Sequence, residues 1–478
     1  MSIKKNYLYN LAYQVLNMAL PLITVPYISR VLKPEGVGIY AYTNSIVQYF
    51  MLLAMLGIGT YGNKMVAIAR DNKKELSRTF FSIFLLQLFF SFISLSMYLV
   101  FIFYFFQEYK LIALLQGIAL LATVLDCSWF FSGLEDFKKI VTRNIFFKVL
   151  SLIAIFIFVK DTSDLTLYTI IMGLSLLLGS IVLWYYVKPH VVPVSISFQS
   201  VFSHFKPTIV YFLPQIATQV YFILNKTMLG YLSTTSEVGI YDYADKILKI
   251  ALAIVTSLGI VMLPRMANTF GKGDLDKAND YIRKSLEFTT LLAIPIMFGL
   301  AGVAQEFVPW YMGEEFKLSA NVLIILSPAI FLMAWSGVFG TQYLVPLGKM
   351  KQYTSTLYVG AIVNLIVNII LIKPYGAIGA AIGTLAAEIA VTLAQMYFIR
   401  KDINILKVMP KTLYYLVSGG IMYGVVRWIG VSLGSSIITT ILQVAAGVLV
   451  YITFVILFEV LLKDGLIMNE IKRRRSRP

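Results

Sequence analysis

The chain has 478 residues, 59% of them hydrophobic and only 13% charged, with a mean hydropathy of +0.79 and a formal net charge of +16. This lies far outside the composition of soluble globular domains, and apolar runs of about 20 residues, each enough to cross a hydrocarbon core of about 30 Å as a helix, follow one another along almost the whole length. The single cysteine, Cys127, excludes an internal disulfide and a cysteine-based metal cluster. His190 and His204 share one loop without other ligand types at metal spacing, so both read as solvated loop residues and no metal site is expected. No glycine-rich phosphate loop occurs, so direct ATP hydrolysis by this chain is not expected and any energy source must be external.

Fourteen membrane helices are expected, at 9–30, 38–63, 79–105, 110–132, 141–159, 165–187, 207–230, 239–263, 285–306, 318–345, 352–372, 376–399, 411–429 and 436–461. The first is read as a retained helix, because the basic start with Lys4 and Lys5 meets Gln14 and Asn17 early and lacks a small-residue cleavage site. An even number of spans puts both termini on one side, and the lysines and arginines of alternate loops decide which. One set, including Lys64, Arg70, Lys138, Lys139, Arg143, Lys148, Lys188, Lys206, Lys411 and the tail "IKRRRSRP", holds about thirty. The other holds only Arg30, Lys33, Lys110, Lys160, Lys317, Lys373 and Arg427. Both termini are therefore expected in the cytoplasm, with the net charge explained by topology and anionic lipid and not by nucleic acid.

The stretch "VGIYAY" at Val37–Tyr42 returns as "VGIYDY" at Val238–Tyr243, 201 residues later. Gln14 falls on Gln215 and Asn44 on Asp245 in the same register. Six helices lie in the interval, an even number, so the copies share one orientation: a parallel repeat about an axis along the membrane normal. The expected architecture is an all-α polytopic membrane protein with a six-helix N-lobe (1–195), a six-helix C-lobe (196–402), and helices 13 and 14 with a basic tail (403–478). The loops are short, leaving little room for a catalytic domain outside the bilayer.

Polar side chains inside a membrane helix cost about 2.5–3.5 kcal/mol each at the centre, so their spacing marks an interior face or a pathway. Gln14 and Asn17 lie on one stripe of helix 1, Asn44 and Gln48 on one of helix 2, and Gln215, Gln219 and Lys226 on one of helix 7. In helix 8, Asp242 with Lys246 and Asp245 with Lys249 are i, i+4 pairs in the favourable order, so this group is read either as self-neutralised or as a ligand site. Arg30, at the outer end of helix 1, together with the lysines makes the outer half of an inter-lobe cavity cationic and suited to a phosphate-bearing ligand. Asp126 in helix 4 and Glu388 in helix 12 sit in apolar surroundings, the latter after the small-residue run "YGAIGAAIGTLAAE", whose glycines suit close helix packing. Buried carboxylates of this kind, with Asp242 and Asp245, are candidates for charge balance or for carrying a coupling proton or sodium ion; no other cofactor is expected.

Three stretches, "ISRVLKPEGVGIYAYTNSIVQYF", "WFFSGLEDFKKI" and "VNLIVNIILIKPYGAIGAAIGTLAAE", resemble the Wzx-type polysaccharide flippases of the multidrug/oligosaccharidyl-lipid/polysaccharide (MOP) exporter superfamily. The resemblance implies a two-lobed transporter, not an enzyme, that moves a polyprenyl-diphosphate-linked oligosaccharide across the bacterial inner membrane by alternating access, for capsule, exopolysaccharide or another surface polymer. It also implies a cationic central cavity, which favours Arg30; Lys226, Lys246 and Lys249 match in position and chemistry only. On this expectation those four hold the diphosphate, and Gln14, Asn17, Asn44, Gln48, Gln215 and Gln219 meet sugar hydroxyls. Expected partners are the lipid-linked oligosaccharide, membrane lipids, and a polysaccharide polymerase and assembly proteins. Three alternatives stand beside it. A cation-coupled multidrug antiporter of the same superfamily would favour an acidic, aromatic cavity; a membrane-embedded polymerase or glycosyltransferase needs catalytic groups on a substantial outer loop; and a non-transporting scaffold would tolerate loss of the membrane cations.

Overall fold

A backbone crossing hydrocarbon must satisfy its own N–H and C=O groups, and the computed structural model of this chain does so with helices. It describes residues 3–271, 275–403 and 409–462, with side chains for most of these, and no strand occurs among them. The sixteen α-helices are α1 (Ile3–Met55), α2 (Ile58–Ala69), α3 (Lys73–Phe105), α4 (Lys110–Val124), α5 (Ser128–Gly133), α6 (Phe137–Phe158), α7 (Leu165–Val187), α8 (Phe198–Ser203), α9 (Phe205–Leu232), α10 (Thr235–Gly271), α11 (Leu275–Met312), α12 (Leu318–Leu326), α13 (Pro328–Gly337), α14 (Met350–Ile399), α15 (Met409–Leu433) and α16 (Ile437–Leu462). Ten described helical segments are long and apolar enough to cross a membrane.

The fourteen expected spans map onto these helices. Two of them fall on α1, which breaks at Lys33 (φ 59°, ψ 175°), and two on α14, which breaks at Gly376 (φ 52°, ψ −127°). Lys33 directly precedes Pro34 and is sterically pushed out of the helical region, whereas Gly376, two residues after Pro374, takes a positive φ open to glycine. Three spans read as continuous are interrupted. The expected 38–63 helix passes from α1 to α2 through Leu56 and Gly57, both at positive φ (44° and 77°). The expected 110–132 helix divides into α4 and α5, and the expected 318–345 helix divides into α12, α13 and a π-helical turn at Val338–Leu344.

By packing, the chain forms two compact units, Met1–Gly239 and Ile240–Pro478. This grouping seats α9, which opens the second sequence repeat, with the first unit. There Ile58, Phe80, Ile83, Trp129, Phe130 and Leu183 bring α2, α3, α5 and α7 into one buried cluster. In the second unit one cluster joins α11 to α13 and α14 through Leu286, Trp335 and Ile399, and another joins α11 to α15 and α16 through Ile294, Met422 and Val455. The glycine run of α14 lets its two arms touch: a methyl at Gly379 would lie 2.2 Å from the Leu371 carbonyl oxygen and one at Gly383 2.1 Å from Asn368 Oδ1.

The repeated VGIY stretches also meet. A methyl at Gly38 would sit 1.6 Å from the Thr235 carbonyl oxygen, and one at Gly239, the last residue of the first unit, 2.1 Å from the Pro34 carbonyl oxygen. Each copy of the motif thus supplies the glycine that lets the other's helix start approach. Gly38→Ala should lower the melting temperature in detergent, at a cost of about 1–3 kcal/mol or more. Gly424→Ala in α15, where nothing lies within 4 Å of the added methyl, should be neutral or stabilising by up to about 1 kcal/mol. Equal melting temperatures for the two variants would refute the close approach at Gly38.

Candidate functional site

The break between α4 and α5 builds the site. No proline or glycine lies in Val124–Ser128; instead the Asp126 carboxylate accepts from the Ser128 backbone N–H (3.2 Å) and from the Ser128 hydroxyl (2.7 and 2.6 Å to its two oxygens). Short polar side chains compete with helical hydrogen bonding in this way. The carbonyls that the break releases are met by two neighbours. The Gln87 amide of α3 donates to the oxygens of Thr123 (3.0 Å), Val124 (3.3 Å) and Asp126 (2.9 Å), and the Trp184 ring N–H of α7 donates to that of Leu125 (2.8 Å). Trp129 N–H in turn donates to Gln87 Oε1 (3.0 Å), and Gln87 is fully buried.

Beside the break, within the first unit, lies a cavity of about 570 Å³. The second arm of α1 contributes Gln48, α4 contributes Thr123, α7 contributes Ser175 and Ser180, and α9 contributes Gln215 and Gln219. Asp126 lies in the wall, together with Arg143, Asn144, Phe147 and Lys148 on one face of α6. Arg143 runs alongside Gly179 of α7: a methyl there would stand 3.5 Å from Arg143 Cδ and 3.6 Å from its Nη1, in ordinary contact. Gln48 is oriented by a chain of amides, donating to Asn44 Oδ1, whose own Nδ2 donates to Gln116 Oε1 (3.2 Å). Gln215 donates to the Thr60 hydroxyl (3.2 Å). Two cations, one carboxylate and several amides and hydroxyls around one space can bind an anion together with a polyhydroxylated group.

Of the residues expected from sequence, this cavity gathers Gln48, Gln215, Gln219 and Asp126. Asp126 departs from its expected apolar surroundings: it lies outside regular helix, hydrogen-bonded to Ser128, in a polar wall. Asn44 acts behind Gln48. The side chains of Gln14 and Asn17, and the basic tail 463–478, lie outside the described residues. Arg30 is exposed and donates from Nη1 to the Pro26 carbonyl (2.6 Å). Lys226 is half-buried in α9. On α10, Lys246 pairs with Asp242 and Lys249 with Asp245, each at 2.7 Å, the self-neutralised arrangement of the two sequence readings. None of Arg30, Lys226, Lys246 and Lys249 lines the cavity. Arg143 and Lys148 were counted with the loop cations for topology although the expected 141–159 span already contained them; their shared helical face with Asn144 and Phe147 was the overlooked signal.

The second unit holds two further features. Glu388 is buried in α14, one turn after Thr384, whose hydroxyl is 2.9 Å from the Tyr241 hydroxyl. On the other arm Asn368 donates to Asn364 Oδ1 (3.0 Å), and the buried Asn364 Nδ2 has no hydrogen-bond partner among the described residues. A second cavity, about 620 Å³, is lined almost wholly by apolar side chains of α11, α15 and α16, among them Leu291, Leu300, Met422, Val448 and Val455.

His204, expected as a solvated loop residue, is instead half-buried at the start of α9, with Nδ1 2.6 Å from the Tyr61 hydroxyl; Tyr211 packs on Tyr61, and Lys64 donates to the Tyr211 hydroxyl (3.3 Å). Burial lowers the His204 pKa below its ordinary value of about 6.5. Between the lowered value and 6.5 the unfolded chain carries the extra proton, so stability rises with pH there. The contribution is fully present above pH 6.5 and is lost as pH falls below it. Melting curves in detergent from pH 7.5 to 5 should show this loss, and His204→Gln should flatten that part of the profile.

A model of the family described as "Polysaccharide biosynthesis protein" matches residues 3–270, and one described as "MatE" matches 211–370. The chain is 25% identical over 407 residues to a "Putative O-antigen transporter" of Escherichia coli K12, covering 84% of this chain and 98% of that one. It is 24% identical over 265 residues to the "Probable low-salt glycan biosynthesis flippase Agl15" of Haloferax volcanii, covering 55% of each. Among solved structures, "Lipid II flippase MurJ, inward closed conformation" shares the fold at TM-score 0.75 and 17% identity, over 96% of this chain and 100% of that one. An inward-facing multidrug-resistance MATE transporter of the MOP superfamily shares it at TM-score 0.60 and 12% identity, over 81% and 99%. The chain is a multi-pass membrane protein that belongs to the polysaccharide biosynthesis protein family.

Proposed function

We propose that this protein is a flippase that carries polyprenyl-diphosphate-linked oligosaccharides from the inner to the outer leaflet of a bacterial cytoplasmic membrane by alternating access, with both termini in the cytoplasm, for capsule, exopolysaccharide or another surface polymer. The observation that carries this reading is the cavity of the first unit, where Arg143 and Lys148 face amides and hydroxyls in one space. A diphosphate cannot enter hydrocarbon unaided, and guanidinium and ammonium donors are the groups that replace its water. In the same space Gln48, Asn144, Gln215 and Gln219 offer hydrogen bonds to sugar hydroxyls. Arg30, Lys226, Lys246 and Lys249 then serve as further phosphate stations along the path, with Asp242 and Asp245 balancing the last two. The polyprenyl tail stays in lipid, and the apolar cavity of α11, α15 and α16 has the chemistry to seat part of it.

The driving ion is a proton or sodium, bound at Glu388 with the side-chain oxygens of Asn364 and Asn368, all three buried in the same hairpin. A polymerase and assembly proteins receive the product. The "MatE" match supports a second reading, a cation-coupled multidrug antiporter; two cations against one carboxylate in the first-unit cavity disfavour cationic drugs there.

Proteoliposomes with a fluorescent polyprenyl-diphosphate oligosaccharide test these readings. The wild type should translocate it; Arg143→Ala should lower the rate about tenfold or more, since a charge-assisted hydrogen bond contributes about 1.5–3 kcal/mol. Arg30→Ala and Lys226→Ala should give smaller losses. Collapsing the proton or sodium gradient should stop transport, and Glu388→Gln should abolish the response to that ion. Export of cationic dyes in place of the lipid would establish the antiporter.

A further inference from the structure

Asp126 is not needed to bind an anion, yet it shares a wall with the two cations that would. Hydrogen bonds from Ser128 N–H and Oγ–H fix it there, in the non-helical step between α4 and α5. A carboxylate in a partly desolvated cavity repels an incoming anion and lowers the positive potential that nearby cations offer it. Resting on the diphosphate reading of this cavity, we propose that Asp126 is an intrinsic competitor for Arg143 and Lys148 that keeps the site from holding its ligand too tightly, and that Ser128 sets how strongly it competes. A carrier gains nothing from uniformly tight binding, because a ligand that is held in both orientations of the cycle is not released. Ser128 occupies the carboxylate's lone pairs and so restrains it. Without the hydroxyl, more of its charge is available to the two cations.

The two halves of the inference have opposite signs, which a merely structural role would not produce. Inorganic diphosphate is titrated calorimetrically into the purified full-length protein in detergent, and translocation of the lipid-linked oligosaccharide is measured in proteoliposomes. Asp126→Asn should bind diphosphate about tenfold more tightly than the wild type and translocate more slowly. Ser128→Ala should bind it several-fold more weakly, and Arg143→Ala should lose the binding. If Asp126→Asn binds diphosphate no more tightly than the wild type while Arg143→Ala still loses binding, the competitor role is overturned and the phosphate site stands. If neither wild type nor Asp126→Asn binds diphosphate, the site reading falls and the inference with it. Tighter binding by Asp126→Asn without translocation by the wild type would uphold the inference and overturn the transport reading.

Discussion

Everything in the first unit's cavity depends on one buried primary amide. A helix interrupted within a membrane-spanning stretch exposes carbonyls that have no water to turn to, and each buried acceptor left unmet costs about 1–3 kcal/mol. The Thr123 carbonyl keeps a backbone partner in the Asp126 N–H (3.2 Å); Gln87 donates to it and to the carbonyls of Val124 and Asp126, and Trp184 donates to that of Leu125. Trp129 occupies the remaining side of the Gln87 amide, so the group is used at both ends. With the carbonyls satisfied, Asp126 can leave helical geometry and reach the cavity wall. The polar wall therefore exists because α3 carries a glutamine where a lipid-facing helix would carry an aliphatic residue.

The second unit handles the same constraint with ion pairs. Arg427 Nη1 lies 2.9 Å from both carboxylate oxygens of Glu306, and Gln443 donates to one of these oxygens (3.1 Å) and to the Val426 carbonyl (3.0 Å). Gly430 makes the approach feasible, since a methyl there would stand 2.4 Å from Gln443 Nε2. Lys411 pairs with Glu287 at 3.2 Å, with both side chains largely buried. The two glutamates are separated along α11 by most of a membrane thickness at about 1.5 Å per residue. The α15–α16 hairpin is thus tied to α11 near both ends, and the apolar cavity is enclosed between the ties. Desolvated pairs of this kind contribute little net stability but strongly disfavour slippage, because breaking one strands a buried charge. Arg427, read from sequence as an outer-loop cation, belongs to this network.

How much was legible follows from which interactions are local. The all-helical multi-pass character, the hairpin at Pro374, the packing glycines after it and the i, i+4 pairs of α10 rest on neighbours within a few turns, and each was readable from spacing. Gln48, Gln215 and Gln219 stood out because an amide in an apolar run is conspicuous. Arg143 and Lys148 did not stand out, because near the end of a span a cation reads equally as topology or as function, and only the α4–α5 break decides between them. That break was hidden for the same reason: nothing in Val124–Ser128 punctuates a helix locally, and the groups that stabilise it lie on α3 and α7. His204 was misread because its partner, Tyr61, is 143 residues away.

The doubled VGIY stretch shows how duplication and function separated. The glycines do the same work in both copies, each clearing space for the other's backbone. The residues that follow do not. In the first copy Gln48 donates to Asn44 and Asn44 to Gln116, a neutral relay running back from the cavity that leaves one amide in the wall. In the second copy the corresponding positions became Asp245 and Lys249, which close on each other within α10, as do Asp242 and Lys246. An amide can serve a neighbour and a ligand at once, whereas a charge in this setting must first be neutralised. The carboxylates added in the second copy are therefore accounted for by the lysines added with them, and the cations that line the first unit's cavity come from a helix that the repeated stretch does not contain, α6.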